Sequence, residues 1–134
     1  MGQPKILFVD DQEEIINAFQ TLFEEEYQVV RATNGLDALC MIFQEQPSVV
    51  VLDIKMGEMD GLAVLEKVRQ KKEYDNTKII IYSGYGDREI KERAFSLGAD
   101  DFMDKPLIVK ELERKINNLS ELFYLRSGGM KKSA

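Results

Sequence analysis

Apolar residues along this chain fall into two alternating patterns: short unbroken runs, and longer stretches where they recur every three or four positions. The runs Lys5–Val9, Tyr27–Arg31, Ser48–Leu52, Lys78–Tyr82 and Asp101–Met103 predict five strands, the second with weak alternation and the fifth brief. Between the first two, Glu13–Phe23 repeats Ile15, Ile16, Phe19, Leu22 and Phe23 at helical spacing. Asn34-Gly35 opens a second helix carrying Leu36, Leu39, Ile42 and Phe43, with Asn34 placed to cap it. Further helices are predicted from about Gly61 to Gln70, from Asp87 to Leu97 with Gly98 as the stop, and from about Leu107 to Arg126.

Ile6-Leu7-Phe8-Val9 and Val49-Val50-Val51-Leu52 are apolar at consecutive positions, so both faces of these strands need cover. That is the mark of a parallel sheet between two helix layers. Five βα units with short connections predict an α/β fold with a doubly wound five-stranded parallel sheet, flavodoxin-like, over residues 4–126. Residues 127–134 are expected to form a disordered basic tail.

Composition narrows the function. With 134 residues, 44% of them hydrophobic and 31% charged, the chain has the content of one ordinary soluble domain. No run approaches the roughly 18 apolar residues of a membrane span, and Met1-Gly2-Gln3-Pro4-Lys5 lacks a signal peptide's apolar stretch. Cys40 is the only cysteine, which rules out an intrachain disulfide and fits a reducing cytoplasm. The absence of histidine excludes histidine general acid–base catalysis, histidine metal ligands and self-phosphorylation on histidine. The net charge of −6 is uneven: residues 1–104 carry 21 acidic and 11 basic side chains, residues 105–134 three acidic and seven basic. An acidic body argues against direct binding of nucleic acid, whose phosphates need a basic footprint.

Reactive side chains follow four of the five strands: Asp10 and Asp11, Asp53, Ser83, and Lys105. The second strand ends in Arg31-Ala32-Thr33 and offers nothing comparable. If one crevice holds the chemistry, the second strand lies at an edge and the order is 2-1-3-4-5, one of the two common doubly wound orders. Taken singly, an Asp after a strand is usually a turn former, a Ser before Gly a turn, and a Lys-Pro pair a solvated loop. Their joint occurrence at strand ends carries the argument. Three converging carboxylates repel unless a cation offsets them, and an all-oxygen site near phosphate chemistry calls for Mg²⁺. A carboxylate beside such a cation can attack phosphorus and form an aspartyl phosphate. Lys105 and Ser83 can then hold the phosphoryl oxygens, and no general base is required.

The same residues carry a family resemblance over about residues 4–124. Val9-Asp10-Asp11, Asp53-Ile54-Lys55-Met56, Asp60-Gly61, Ser83-Gly84, Gly98-Ala99-Asp100-Asp101-Phe102 and Lys105-Pro106 resemble the receiver domain of bacterial two-component response regulators, in particular the single-domain chemotaxis type. The resemblance implies Asp53 as phosphoacceptor, and Asp10, Asp11, Asp53 and the main-chain carbonyl of Lys55 as Mg²⁺ ligands. It also implies Ser83 and Lys105 as phosphoryl-sensing groups, Phe102 as the aromatic that changes position, and a cis bond before Pro106. Three positions depart from the commonest pattern. Gly57 replaces proline and should loosen the loop after Asp53, Ser83 replaces threonine, and Phe102 replaces tyrosine, so a switch here rests on packing.

The expected function is therefore a phosphorylation-switched signalling module, fed by a sensor histidine kinase or a histidine phosphotransfer protein. It would catalyse only its own phosphorylation and dephosphorylation. Lys55 and Tyr85, each two residues past a reactive position, are expected to tune the lifetime of the acyl phosphate. Leu119, Leu122 and Phe123 are expected to overhang the sheet as an apolar stripe for a weak homodimer or a downstream protein. A phosphatase of the haloacid dehalogenase type needs a second Asp two residues after the nucleophile, where Gln12 stands if Asp10 is that nucleophile. A flavodoxin-like cofactor binder would not favour three carboxylates beside a flavin phosphate, and the intact Asp11, Asp53, Ser83 and Lys105 argue against a degenerate docking domain.

Overall fold

The computed structural model describes residues 3–84 and 88–126, so Tyr85 and the tail 127–134 lie outside the described residues. Strand and helix alternate from end to end. The elements are β1 (Lys5–Val9), α1 (Glu13–Phe23), β2 (Gln28–Ala32), α2 (Gly35–Glu45), β3 (Val49–Asp53) and α3 (Gly61–Arg69). A short 3₁₀ turn at Lys72–Tyr74 precedes β4 (Lys78–Ser83), α4 (Arg88–Ser96), β5 (Asp101–Asp104) and α5 (Val109–Arg126). The five strands are parallel in the order β2-β1-β3-β4-β5. Among the described residues no helix is long and apolar enough to cross a membrane.

Because side chains alternate across a strand, each apolar run feeds two cores. Leu7, Val9, Val50, Leu52, Ile79, Ile81 and Phe102 pack with α2, α3 and α4. Ile6, Phe8, Val49, Val51, Ile80, Tyr82 and Met103 pack with α1 and α5. Full burial of such a side chain stabilises by roughly 1.5–3 kcal/mol; with both faces covered, the register of a central strand rests on side-chain fit in each core and on the polar residues that end each run. Asn34 caps α2, its side chain accepting from the Asp37 amide at 2.8 Å. Asp60 does the same for α3 through the Ala63 amide. Gly98 ends α4 at φ +108.

Element boundaries differ from the sequence pattern where long-range bonds intervene. Tyr27 donates its amide to the Phe23 carbonyl and closes the turn after α1, so β2 begins at Gln28 and not at Tyr27. The last helix begins at Val109 and not at Leu107, because its first main-chain bond runs from the Leu112 amide to the Ile108 carbonyl.

The expected overhang of α5 is corrected. Leu119 packs partly buried on the α1/α5 core, and Ser120 is buried with its hydroxyl 3.4 Å from that of Ser48. Phe123 is half-buried, and its carbonyl accepts from Asn76 Nδ2 at 2.8 Å. The residues just before β3 and β4 therefore extend the body of the domain beneath the last turns of α5. Leu122 and Leu125 are the large apolar residues left exposed there.

Candidate functional site

The reactive side chains gather at the carboxyl end of the sheet. β1 ends at Val9, and the Asp10 amide bonds the Ala32 carbonyl, which holds Asp10 in the sheet after the strand proper. Asp10 is buried, and its Oδ1 accepts from the Gln12 amide at 2.9 Å, turning the chain into α1. Asp11 is exposed. Asp53 is the last residue of β3 and is buried. One carboxylate oxygen from each of Asp10, Asp11 and Asp53 lies within 4.8 Å of the others.

Such charges repel by about 4 kcal/mol per pair at 4 Å and an effective dielectric of 20. Only oxygen donors converge here, the set that suits a hard divalent cation such as Mg²⁺. The one cation in contact with Asp53 among the described residues is Lys105, whose Nζ stands 3.2 Å from Asp53 Oδ2. Burial raises the Asp53 carboxyl above the usual carboxylate range; Lys105 opposes that rise and Asp10 adds to it.

Lys105 is placed by its backbone. Its amide donates to the Ser83 carbonyl at 2.7 Å, and Ser83 is paired in register with Asp104, so β4 and β5 fix the start of the following loop. The Lys105–Pro106 peptide is cis, as the resemblance implies. Ser83 is the buried last residue of β4, one position beyond Tyr82, the register partner of Asp53. Phe102 is buried and faces the α2/α3/α4 core. Lys55 is exposed just beyond Asp53. Tyr85 falls outside the described residues.

Two glycines shape the loop after Asp53. At Gly61 an added Cβ would lie 2.3 Å from the Asp53 carbonyl oxygen, so the N-terminus of α3 can close on the end of β3 only with glycine there. Gly57 sits at φ +69, which proline, held near −65°, cannot adopt. Gly57 therefore gives this loop a different backbone path as well as one less φ restraint.

Tyr82 is a residue at the site that the sequence pattern hides, because it reads as the last apolar position of a strand. Its hydroxyl donates to Asp10 Oδ2 at 2.5 Å, and the Lys105 ammonium lies 4.8 Å from its ring centroid. Burial, and then the bond to Asp10, push its phenol far above the ordinary range, so it stays protonated and donates.

A family model for the response regulator receiver domain matches residues 6–117. Sporulation initiation phosphotransferase F of Bacillus subtilis (strain 168) is 36% identical over 113 residues, covering 84% of this chain and 90% of that protein. The probable transcriptional regulator ycf27 of Guillardia theta is 39% identical over 113 residues, 84% of this chain but 43% of the relative, so the chain spans under half of its length. The structure of the Francisella response regulator 1452 receiver domain superposes with a TM-score of 0.81 at 33% identity, covering 88% of this chain and 97% of the other. A CheY-like receiver domain protein from Methanospirillum hungatei JF-1 does so with a TM-score of 0.83 at 31% identity, covering 90% and 97%. The chain belongs to the response regulator receiver domains, a family whose function is phosphorylation-switched signalling.

Proposed function

We propose that Asp53 accepts a phosphoryl group from the phosphohistidine of a sensor histidine kinase or a histidine phosphotransfer protein. The reading is carried by one observation: a buried carboxylate paired with Lys105 at 3.2 Å, inside a cluster of three carboxylates. An oxygen of Asp53 attacks phosphorus, the new O–P bond forms as the P–N bond breaks, and the electron pair leaves on the imidazole nitrogen, which then takes a proton. Asp10, Asp11, Asp53 and the main-chain carbonyl of Lys55 would hold Mg²⁺, which supplies charge to offset the incoming phosphoryl group.

Lys105 exchanges its carboxylate partner for phosphoryl oxygens, and the Ser83 hydroxyl donates to them. Drawing Ser83 inward changes the space beside β5 and acts on Phe102 through packing, altering the surface formed by α4, β5 and α5. Lys55 and Tyr85 set how readily water reaches the acyl phosphate. The domain catalyses only its own phosphorylation and dephosphorylation, in the cytoplasm, and signals through a downstream protein or a weak homodimer on the last helix. Sporulation initiation phosphotransferase F, by its name a phosphotransferase, supports a phosphorelay role.

The test is incubation with acetyl phosphate and Mg²⁺, followed by mass spectrometry. Wild type should gain one base-labile phosphoryl group, and Asp53→Asn should gain none. An unchanged adduct in the variant would sink the assignment.

A further inference from the structure

The hydroxyl of Tyr82 spans from β4 across β3 to the end of β1, where it donates to Asp10 Oδ2. With the Gln12 amide on Oδ1, both oxygens of this buried carboxylate are held by protein donors. Each oxygen keeps a further lone pair, so the two bonds orient the group and leave it able to bind a cation. The ring that carries the hydroxyl is itself held. Phe19 of α1 meets it edge-on at 6.1 Å, and Phe19 in turn stacks on Phe8 at 4.6 Å. Tyr82 is almost fully buried, so its ring is held by the packing of the α1/α5 core.

We propose that Tyr82 is a positioning residue of the cation site: its hydroxyl aims the Asp10 carboxylate at the point where the three acidic side chains converge. The proposal rests on the reading of Asp10, Asp11 and Asp53 as the Mg²⁺ site, and deepens it by naming what orients the most deeply buried ligand. Groups that hydrogen-bond metal ligands typically contribute 10–100-fold to metal affinity. Tyr82 differs from a purely structural tyrosine in where its hydroxyl goes. The Val9 carbonyl is also within reach, but at 3.5 Å, and the Asp10 carboxylate takes the closer bond.

Isothermal titration of the cation-free protein with MgCl₂ tests this on wild type, Tyr82→Phe and Asp11→Asn. Phenylalanine keeps the ring, its packing on Phe19 and its face toward Lys105, and removes only the hydroxyl. Tyr82→Phe should bind Mg²⁺ about tenfold more weakly. The Mg²⁺ concentration giving half-maximal phosphorylation by acetyl phosphate should rise by the same factor. A merely structural tyrosine would lower the urea midpoint of the cation-free protein without moving the Mg²⁺ affinity. Equal or tighter Mg²⁺ binding by Tyr82→Phe overturns the proposal while leaving the site itself standing. Failure of wild type to bind Mg²⁺, or binding that Asp11→Asn does not weaken, overturns the cation-site reading and the proposal with it.

Discussion

Lys105 Nζ lies 3.2 Å from Asp53 Oδ2, yet only the lysine side of the pair meets water: its side chain is 35% exposed and that of Asp53 6%. Burial therefore outweighs the ion pair, and the Asp53 carboxyl stays above its ordinary value of 3.8. The folded protein holds this proton more tightly than the unfolded chain does, so the group's contribution to stability falls as pH rises above that value. In EDTA at pH 7, Asp53→Asn should unfold at a higher urea concentration than wild type. The gap should close as the pH drops below about 4, where both states are protonated. Equal midpoints at pH 7 would mean that Lys105 offsets the whole cost of burial.

Arg69 binds together three segments on the side of the sheet that carries α3. It donates to the carbonyls of Gly98 at 3.0 Å, Tyr74 at 2.9 Å and Thr77 at 2.8 Å, and to Asp100 Oδ2 at 3.1 Å. The same Asp100 oxygen accepts from the Ile79 amide at 2.8 Å, which ties the turn before β5 to β4. Arg69→Ala should lower stability by about 2–3 kcal/mol in urea unfolding, after discounting the partly exposed ion pair. Arg69→Lys should recover little of it, since an ammonium cannot reproduce the planar fork of donors.

Gly61→Ala places a methyl group where the Asp53 carbonyl oxygen sits, 2.3 Å from the ideal Cβ. Backbone has to yield, at a cost of about 1–3 kcal/mol by comparison with other overpacked sites. Because the carbonyl belongs to Asp53, the proposed phosphoacceptor, the variant should also accept phosphoryl groups more slowly from acetyl phosphate. A variant with wild-type stability and rate would show that α3 can shift without disturbing Asp53.

Along α5, Leu112 is fully buried against the sheet and Leu122 is 47% exposed. Leu112→Ala should cost about 2–5 kcal/mol, whereas Leu122→Ala should stay within about 0.5 kcal/mol in the monomer. If Leu122 and Leu125 serve an interface, Leu122→Glu will alter sedimentation only for the phosphoryl-mimic form. Identical monomeric behaviour with and without the mimic would assign the last helix to a different protein partner.

The strand order, the sheet between two helix layers and the placing of Asp10, Asp11, Asp53, Ser83 and Lys105 at the carboxyl ends of the strands were legible in the sequence. Each depends on a local pattern: an apolar run, the polar residue that ends it, and the rule that ligands collect at the carboxyl ends of parallel strands. Tertiary structure decided the rest. Tyr82 reaches Asp10 only because β4 and β1 flank β3 in a particular register, and α1 supplies Phe19 to hold its ring. Arg69 finds its carbonyls in two separate turns, at Tyr74–Thr77 and at Gly98, while Leu119 is covered by the α1/α5 core and the Phe123 carbonyl is met by Asn76. Periodicity reports which face of an element is apolar. What that face meets, and where a buried hydroxyl or guanidinium points, depends on contacts between residues dozens of positions apart, whose geometry exists only once the sheet has formed.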